Sequence, residues 1–214
     1  MLLLNILSCA TRQEKSMKHM RICFVGDSFV NGTGDPTFLG WAGRLCVTAR
    51  QQGHEITYYN LGIRGQTSRQ IAHRWHSEVT ARLPRDSDGR MVFSFGANDM
   101  TLEDGELRVP LAESLQNTQS LLATAQQLFP TMMIGPPPLL DDEVNQRIAA
   151  LSQHLSIICE EMKVPYLDVF TSLQHSPAWK EEVASNDGAH PRTAGYAALA
   201  HLVQQWSCWK SWFL

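Results

Sequence analysis

The 214-residue chain lacks the features that would mark several large classes of protein. It has no apolar run near the ~20 residues needed to span a bilayer, so no transmembrane helix is expected. It has no block of like charge either: 18 Lys and Arg stand against 21 Asp and Glu, and the basic residues are scattered. Without a basic stripe there is no electrostatic footprint for nucleic acid or anionic lipid, and a small neutral or uncharged substrate fits better. No C-x-x-C pair is present. The five cysteines, Cys9, Cys23, Cys46, Cys159 and Cys208, are widely spaced and odd in number, which reads as reduced, mostly buried thiols rather than a zinc or redox site. There is no internal repeat, low-complexity stretch or linker-like segment, and the length suits one domain with a full core.

Nucleotide-binding loops are missing as well. No G-x-x-x-x-G-K-[ST] segment occurs, and a G-x-G-x-x-G fingerprint beginning at Gly32 fails at Thr37, which follows Pro36. A G-x-S-x-G elbow around Ser28 fails at Val30. The N-terminus is ambiguous. Met1 to Cys9 is apolar and ends in Leu7-Ser8-Cys9, as at a lipoprotein cleavage site, yet no Lys or Arg leads it and it is short for a signal core. Residues 1–19 are therefore read as a disordered extension or an over-long start, with Met17 and Met20 just before the first strand, and residues 20–214 as the single domain. A cytoplasmic location is expected, with export left open by that N-terminus.

What the chain does have is an alternation. Runs at 21–26, 55–61, 90–95, 131–134 and 164–169 read as strands, and helical segments at 39–52, 68–83, 110–128, 141–162 and 192–206 separate or follow them. Pro191 falls where a first-turn proline is tolerated, and Pro136-Pro137-Pro138 forces an extended loop. Five such strands joined by right-handed helical crossovers predict a three-layer α/β/α sandwich around a parallel sheet.

Three polar motifs then fall at carboxyl ends of strands, where open α/β sheets carry function. Gly26-Asp27-Ser28 follows the first strand, Asn60-Leu61-Gly62-Ile63-Arg64-Gly65 the second, and Gly96-Ala97-Asn98-Asp99 the third. Far downstream stands Asp187-Gly188-Ala189-His190. A serine with an Asp-x-x-His supplies a nucleophile, a base and a group to orient the base. Gly65 can bring a backbone N–H close to a substrate, and Asn98 offers a carboxamide N–H. With the N–H of Ser28 these make three donors for an oxyanion. Each residue also has an ordinary reading: Ser28 as a cap or turn serine, His190 as a surface cap, Gly65 as a turn glycine, and Asn98 as a loop residue bonding its own backbone. Seven other histidines compete. Of these, His73 and His76 lie a turn apart and could face one way as metal ligands, but no acidic or cysteine partner is near, so a solvated face is expected.

The four blocks in order, from Gly26 to Pro191, resemble the GDSL, or SGNH, family of esterases and lipases. The one departure is Phe29 in place of the usual Leu after the serine. The resemblance implies a five-stranded flavodoxin-like sheet and a Ser28–His190–Asp187 triad. It also implies an oxyanion hole of Ser28, Gly65 and Asn98, and no metal or organic cofactor. The implied function is a serine ester hydrolase passing through an acyl-enzyme, and since no long insertion suggests a lid, small or short-chain esters are expected. The alternatives are a carbohydrate O-acetylesterase or a non-catalytic binding protein on the same fold. The loops at 30–41 and 135–140 are expected to border the pocket, offering Phe38, Leu39, Leu139 and Leu140, with Trp41 more suited to packing. The aromatic C-terminus, from Trp206 to Leu214, is expected to dock onto its own domain; oligomeric state is left open.

Overall fold

Residues Ile22–Val25 are apolar without alternation, as a strand covered on both faces must be. They form an interior strand of the sheet. The computed structural model describes residues 19–214. In it, β1 (Met20–Gly26) lies between β2 (Ile56–Gly62) and β3 (Asp88–Ser94), parallel to both. A small antiparallel hairpin follows, β4 (Leu102–Glu103) with β5 (Glu106–Leu107). The main sheet is completed by β6 (Thr131–Ile134) and β7 (Tyr166–Leu167), giving the order β2-β1-β3-β6-β7. This is the expected five-stranded parallel sheet in flavodoxin-like order. The order reverses between β1 and β3, so a crevice opens there at the carboxyl ends.

The helices are α1 (Ser28–Asn31), α2 (Gly40–Gln51), α3 (Ser68–Thr80), α4 (Leu111–Ala125), α5 (Asp142–Glu161), α6 (Phe170–Leu173), α7 (Pro177–Ser185), α8 (Thr193–Gln205) and α9 (Ser207–Ser211). Helix α8 packs against α2 and α7, while α4 packs against α3 and α5. The sheet is thus enclosed by two helical layers, and one cluster of buried side chains joins all three.

Several boundaries differ from expectation for local reasons. The fifth strand is only two residues long. Asp168 leaves the strand to accept the backbone N–H of Thr171 at the start of α6. Pro191 lies ahead of α8 rather than in its first turn, and the helix start is held instead by Glu182, which accepts the N–H groups of Arg192, Ala194 and Gly195 at 2.7–3.0 Å. The hairpin and the short helices α1, α6, α7 and α9 were not legible as periodic runs. The aromatic C-terminus does fold back: Trp209 is buried and packs on Phe24 at 6.1 Å between ring centres, and Phe213 meets His54 at 4.8 Å. Residues 1–18, with the lipoprotein-like segment and Cys9, lie outside the described residues. Cys23, Cys46 and Cys159 are buried free thiols and Cys208 is partly buried. No helix among the described residues is long and apolar enough to cross a membrane.

Candidate active site

The register of the central strands brings the motifs together. Gly26 pairs with Gly62 on one side and with Ser94 on the other, so the three following loops leave the sheet at one level. Gly26 also lets β1 and β3 close up, because a Cβ there would stand 2.0 Å from the Ser94 carbonyl oxygen. The chain turns at Asp27, whose Oδ1 accepts the N–H of Phe29 at 3.0 Å and so caps α1. Ser28 is therefore the first helical residue, and its own N–H has no acceptor among the described residues.

Ser28 and His190 are buried, at 3% and 7% exposure, and face each other. Ser28 Oγ and His190 Nε2 are 2.7 Å apart, and His190 Nδ1 and Asp187 Oδ2 are also 2.7 Å apart. The other Asp187 oxygen accepts the N–H groups of His190 at 2.8 Å and Ala189 at 3.1 Å, which fixes the turn that aims the ring. Burial would raise the Asp187 pKa, but the His190 backbone and ring and the Ala189 N–H bring it down to about 2. A carboxylate ionised at neutral pH can only accept, so Nδ1 carries the proton. Nε2 then presents its lone pair to the Ser28 hydroxyl. Phe29 packs beside the ring at 5.2 Å and against Trp179 at 6.0 Å, bracing the base from the apolar side.

On the opposite side, Gly65 has φ +76°, in the left-handed region, and its N–H has no acceptor among the described residues. A side chain would meet nothing within 4 Å there, so it is the backbone conformation that calls for glycine. Asn98 Nδ2 donates to the Gln66 carbonyl at 2.9 Å and lies 3.5 Å from Asp27 Oδ2. Its carboxamide thereby ties all three loops together. All five sequence-predicted site residues stand on this one rim.

A model of the GDSL-like lipase/acylhydrolase family matches residues 24–198. The chain belongs to that family. Membership makes it a carboxylic ester hydrolase by class. The chain is similar to YpmR, an uncharacterised protein of Bacillus subtilis (strain 168), at 24% identity over 217 residues, or 90% of this chain and 83% of that one. In fold it is similar to a lipase/acylhydrolase from Enterococcus faecalis, with a TM-score of 0.71 and 22% identity over 86% of this chain and 93% of that one. It is also similar to Axe2, an acetylxylan esterase from Geobacillus stearothermophilus, with a TM-score of 0.69 and 20% identity over 86% and 92%. Variants of Axe2 with a serine, a histidine or an aspartate replaced by alanine are described as catalytic mutants.

Within this GDSL-family site, several residues have parts that sequence reading did not assign. Asp27 is buried, and burial pushes its pKa up to about 7, opposed by the Phe29 N–H and reinforced by the nearby Asp99 charge. Asp99 is also buried, which raises its pKa; it accepts Ser68 N–H at 2.7 Å and Ser114 Oγ–H at 2.6 Å, tying the starts of α3 and α4 beneath Asn98. Arg74 reaches from α3 to donate to the carbonyls of Gly26 and Leu61, each at 2.9 Å, clamping the ends of β1 and β2. Arg108 donates to the Gly65 carbonyl at 2.7 Å. The 31–40 loop is organised by buried Asp35, which pairs with Arg44 and accepts Gly40 N–H at 2.9 Å. This pairing spans nine residues from the loop into α2, a spacing that no helical or strand period announces.

The loop expectations divide. Trp41 is fully buried and packs edge-on against Phe24 at 5.5 Å, whereas Phe38 is 90% exposed. A cavity of about 670 Å³ lies between the 138–140 segment and α5, α6 and α7, lined in part by Leu139, Leu140, Phe170 and Trp179. It lies apart from the candidate site: none of Ser28, Gly65, Asn98, Asp187 or His190 lines it. His73 and His76 are exposed on α3, and no cluster of three metal-ligating side chains exists among the described residues.

Proposed function

We propose that this chain hydrolyses small or short-chain esters through an acyl-enzyme on Ser28. Ser28 Oγ attacks the ester carbonyl carbon and passes its proton to His190 Nε2. The tetrahedral oxyanion is met by the N–H groups of Ser28 and Gly65 and by the Asn98 Nδ2 hydrogen that faces Asp27 at a long 3.5 Å. On collapse the C–O bond breaks and Nε2 returns the proton to the departing alcohol. Water then attacks the acyl carbonyl, giving its proton to Nε2, and Ser28 leaves with that proton as the acid is released. Asp187 holds the ring and stabilises the imidazolium without taking its proton. The unbroken Ser28–His190–Asp187 relay at 2.7 Å per link is the observation that carries this reading. No cofactor takes part in these steps.

A second reading, removal of acetyl groups from a carbohydrate, draws support from the likeness to Axe2, whose substrate is an acetylated xylan or xylo-oligosaccharide. The buried free thiols fit a reducing compartment, and the cytoplasm is proposed as the location. The test is turnover of p-nitrophenyl esters from acetate to palmitate and of acetylated xylo-oligosaccharides, beside the Ser28→Ala variant. Serine-dependent turnover falling with chain length is expected. Turnover surviving in Ser28→Ala would refute the mechanism, and a rate peaking at long chains would refute the substrate size.

A further inference from the structure

Arg64 is placed oddly for a site of this chemistry. Its guanidinium lies 3.6 Å from Asp187 Oδ2, beside the carboxylate that orients the base, and its side chain is 68% exposed. Among the described residues it makes no hydrogen bond within 3.5 Å, whereas Arg44, Arg69, Arg74, Arg108 and Arg147 each have a protein acceptor at 2.9 Å or less. Asp187 is already occupied, with His190 Nδ1 on one oxygen and two backbone N–H groups on the other. Arg64 therefore holds only a loose, solvent-exposed ion pair to an oxygen that already binds the His190 ring, and its donors stay open to a further acceptor.

A cation in that position opposes the mechanism proposed above, because His190 must become an imidazolium on the far side of the same carboxylate. An anion seated on the guanidinium cancels that opposition. The place is also right for a substrate group: Arg64 shares a peptide bond with Gly65, whose free N–H points the reacting carbonyl to the same lip. Guanidinium groups are planar forks of donors that match carboxylate and phosphate oxygens in pairs.

From this we infer, resting on the ester-hydrolase reading, that Arg64 is a specificity residue for esters carrying an oxyanion group, carboxylate or phosphate, near the scissile bond. This departs from the neutral substrate that the whole-chain charge favours. The residue is set by a local field, not by net charge.

Two matched pairs test it: p-nitrophenyl butyrate against p-nitrophenyl hydrogen succinate, with the charge on the acyl side, and monobutyrin against 1-butyryl-glycerol 3-phosphate, with the charge on the alcohol side. The ratio of kcat/KM for the anionic to the neutral member is measured for wild type, Arg64→Gln and Arg64→Lys. In one pair at least, the ratio is expected to fall about tenfold or more in Arg64→Gln, the size expected for a lost charge-assisted contact, and less in Arg64→Lys. The pair that responds tells which side of the ester bears the charge. Ratios within twofold of wild type in both pairs, including a parallel loss on both members, overturn the inference and make Arg64 a support for Asp187. Calorimetric titration of the two anionic esters into Ser28→Ala, with and without Arg64→Gln, reads binding apart from turnover. Arg64-dependent binding with no turnover of any ester would sink the hydrolase reading alone; turnover with unchanged ratios would sink this inference alone.

Discussion

Asp27 gives the sharpest physical prediction, because its carboxyl is buried next to the nucleophile with its pKa pushed up to about 7. The folded protein holds this proton up to near neutrality, whereas the unfolded chain releases it near 3.8. Between those values the folded state binds more protons than the unfolded one, so stability must fall as pH rises. At about 1.4 kcal/mol for each tenfold difference in proton affinity, the loss across that window is on the order of 4 kcal/mol. Asp27→Asn removes the titration while keeping an oxygen that can accept the Phe29 N–H. Urea unfolding of both proteins at steps from pH 4 to pH 8 isolates the effect, since every other titrating group is common to the two. The unfolding free energy of the variant, relative to wild type, is expected to improve steadily with pH by up to roughly 4 kcal/mol. Parallel stability curves would mean that this carboxyl is not kept from solvent in the native state.

Two further outcomes follow from the same network. Asn98→Ala is expected to lower kcat by about 10²-fold to 10³-fold with a smaller change in KM, the usual result of losing one oxyanion donor; steady-state kinetics on a short-chain ester checks it, and equal effects on both constants would count against the role. Asp35→Asn leaves the partly buried Arg44 without its counter-charge and should cost about 3 kcal/mol in urea unfolding at pH 7. The Asp35 pKa is depressed to about 2: burial acts to raise it, but Arg44, Thr37 and Gly40 outweigh that. Its contribution is therefore present above about pH 4 and disappears as pH falls toward 2 in wild type alone. An Asp35→Asn protein as stable as wild type at pH 7 would disprove the pairing.

The class of fold was legible in the order of the residues, and so were the side chains that the structure brings together in the candidate site. Short unbroken apolar runs such as Ile22–Val25, ended by turn residues, fit strands covered on both faces, and their alternation with helical segments admits few topologies. The candidate residues were legible because ester chemistry would restrict them: a serine, an Asp-x-x-His, a glycine and an asparagine, three of them placed just after strands. Short elements escaped because α1, α6 and α9 have too few residues to show a period, and because capping by Glu182, ten residues or more upstream of its partners, leaves no local trace. The electrostatics, by contrast, arise only once the chain is folded. Asp27, Asp99, Asp35 and Asp187 are the same residue type, yet burial pushes the first two up, at Asp99 against the Arg108 charge, and hydrogen bonds from Arg44 or from the His190 turn pull the others down. The cation of Arg64 beside Asp187 joins segments 123 residues apart in the chain, a distance read from their numbers alone. Charge–charge energies depend on separation and solvent exposure, and neither is written in the order of the residues.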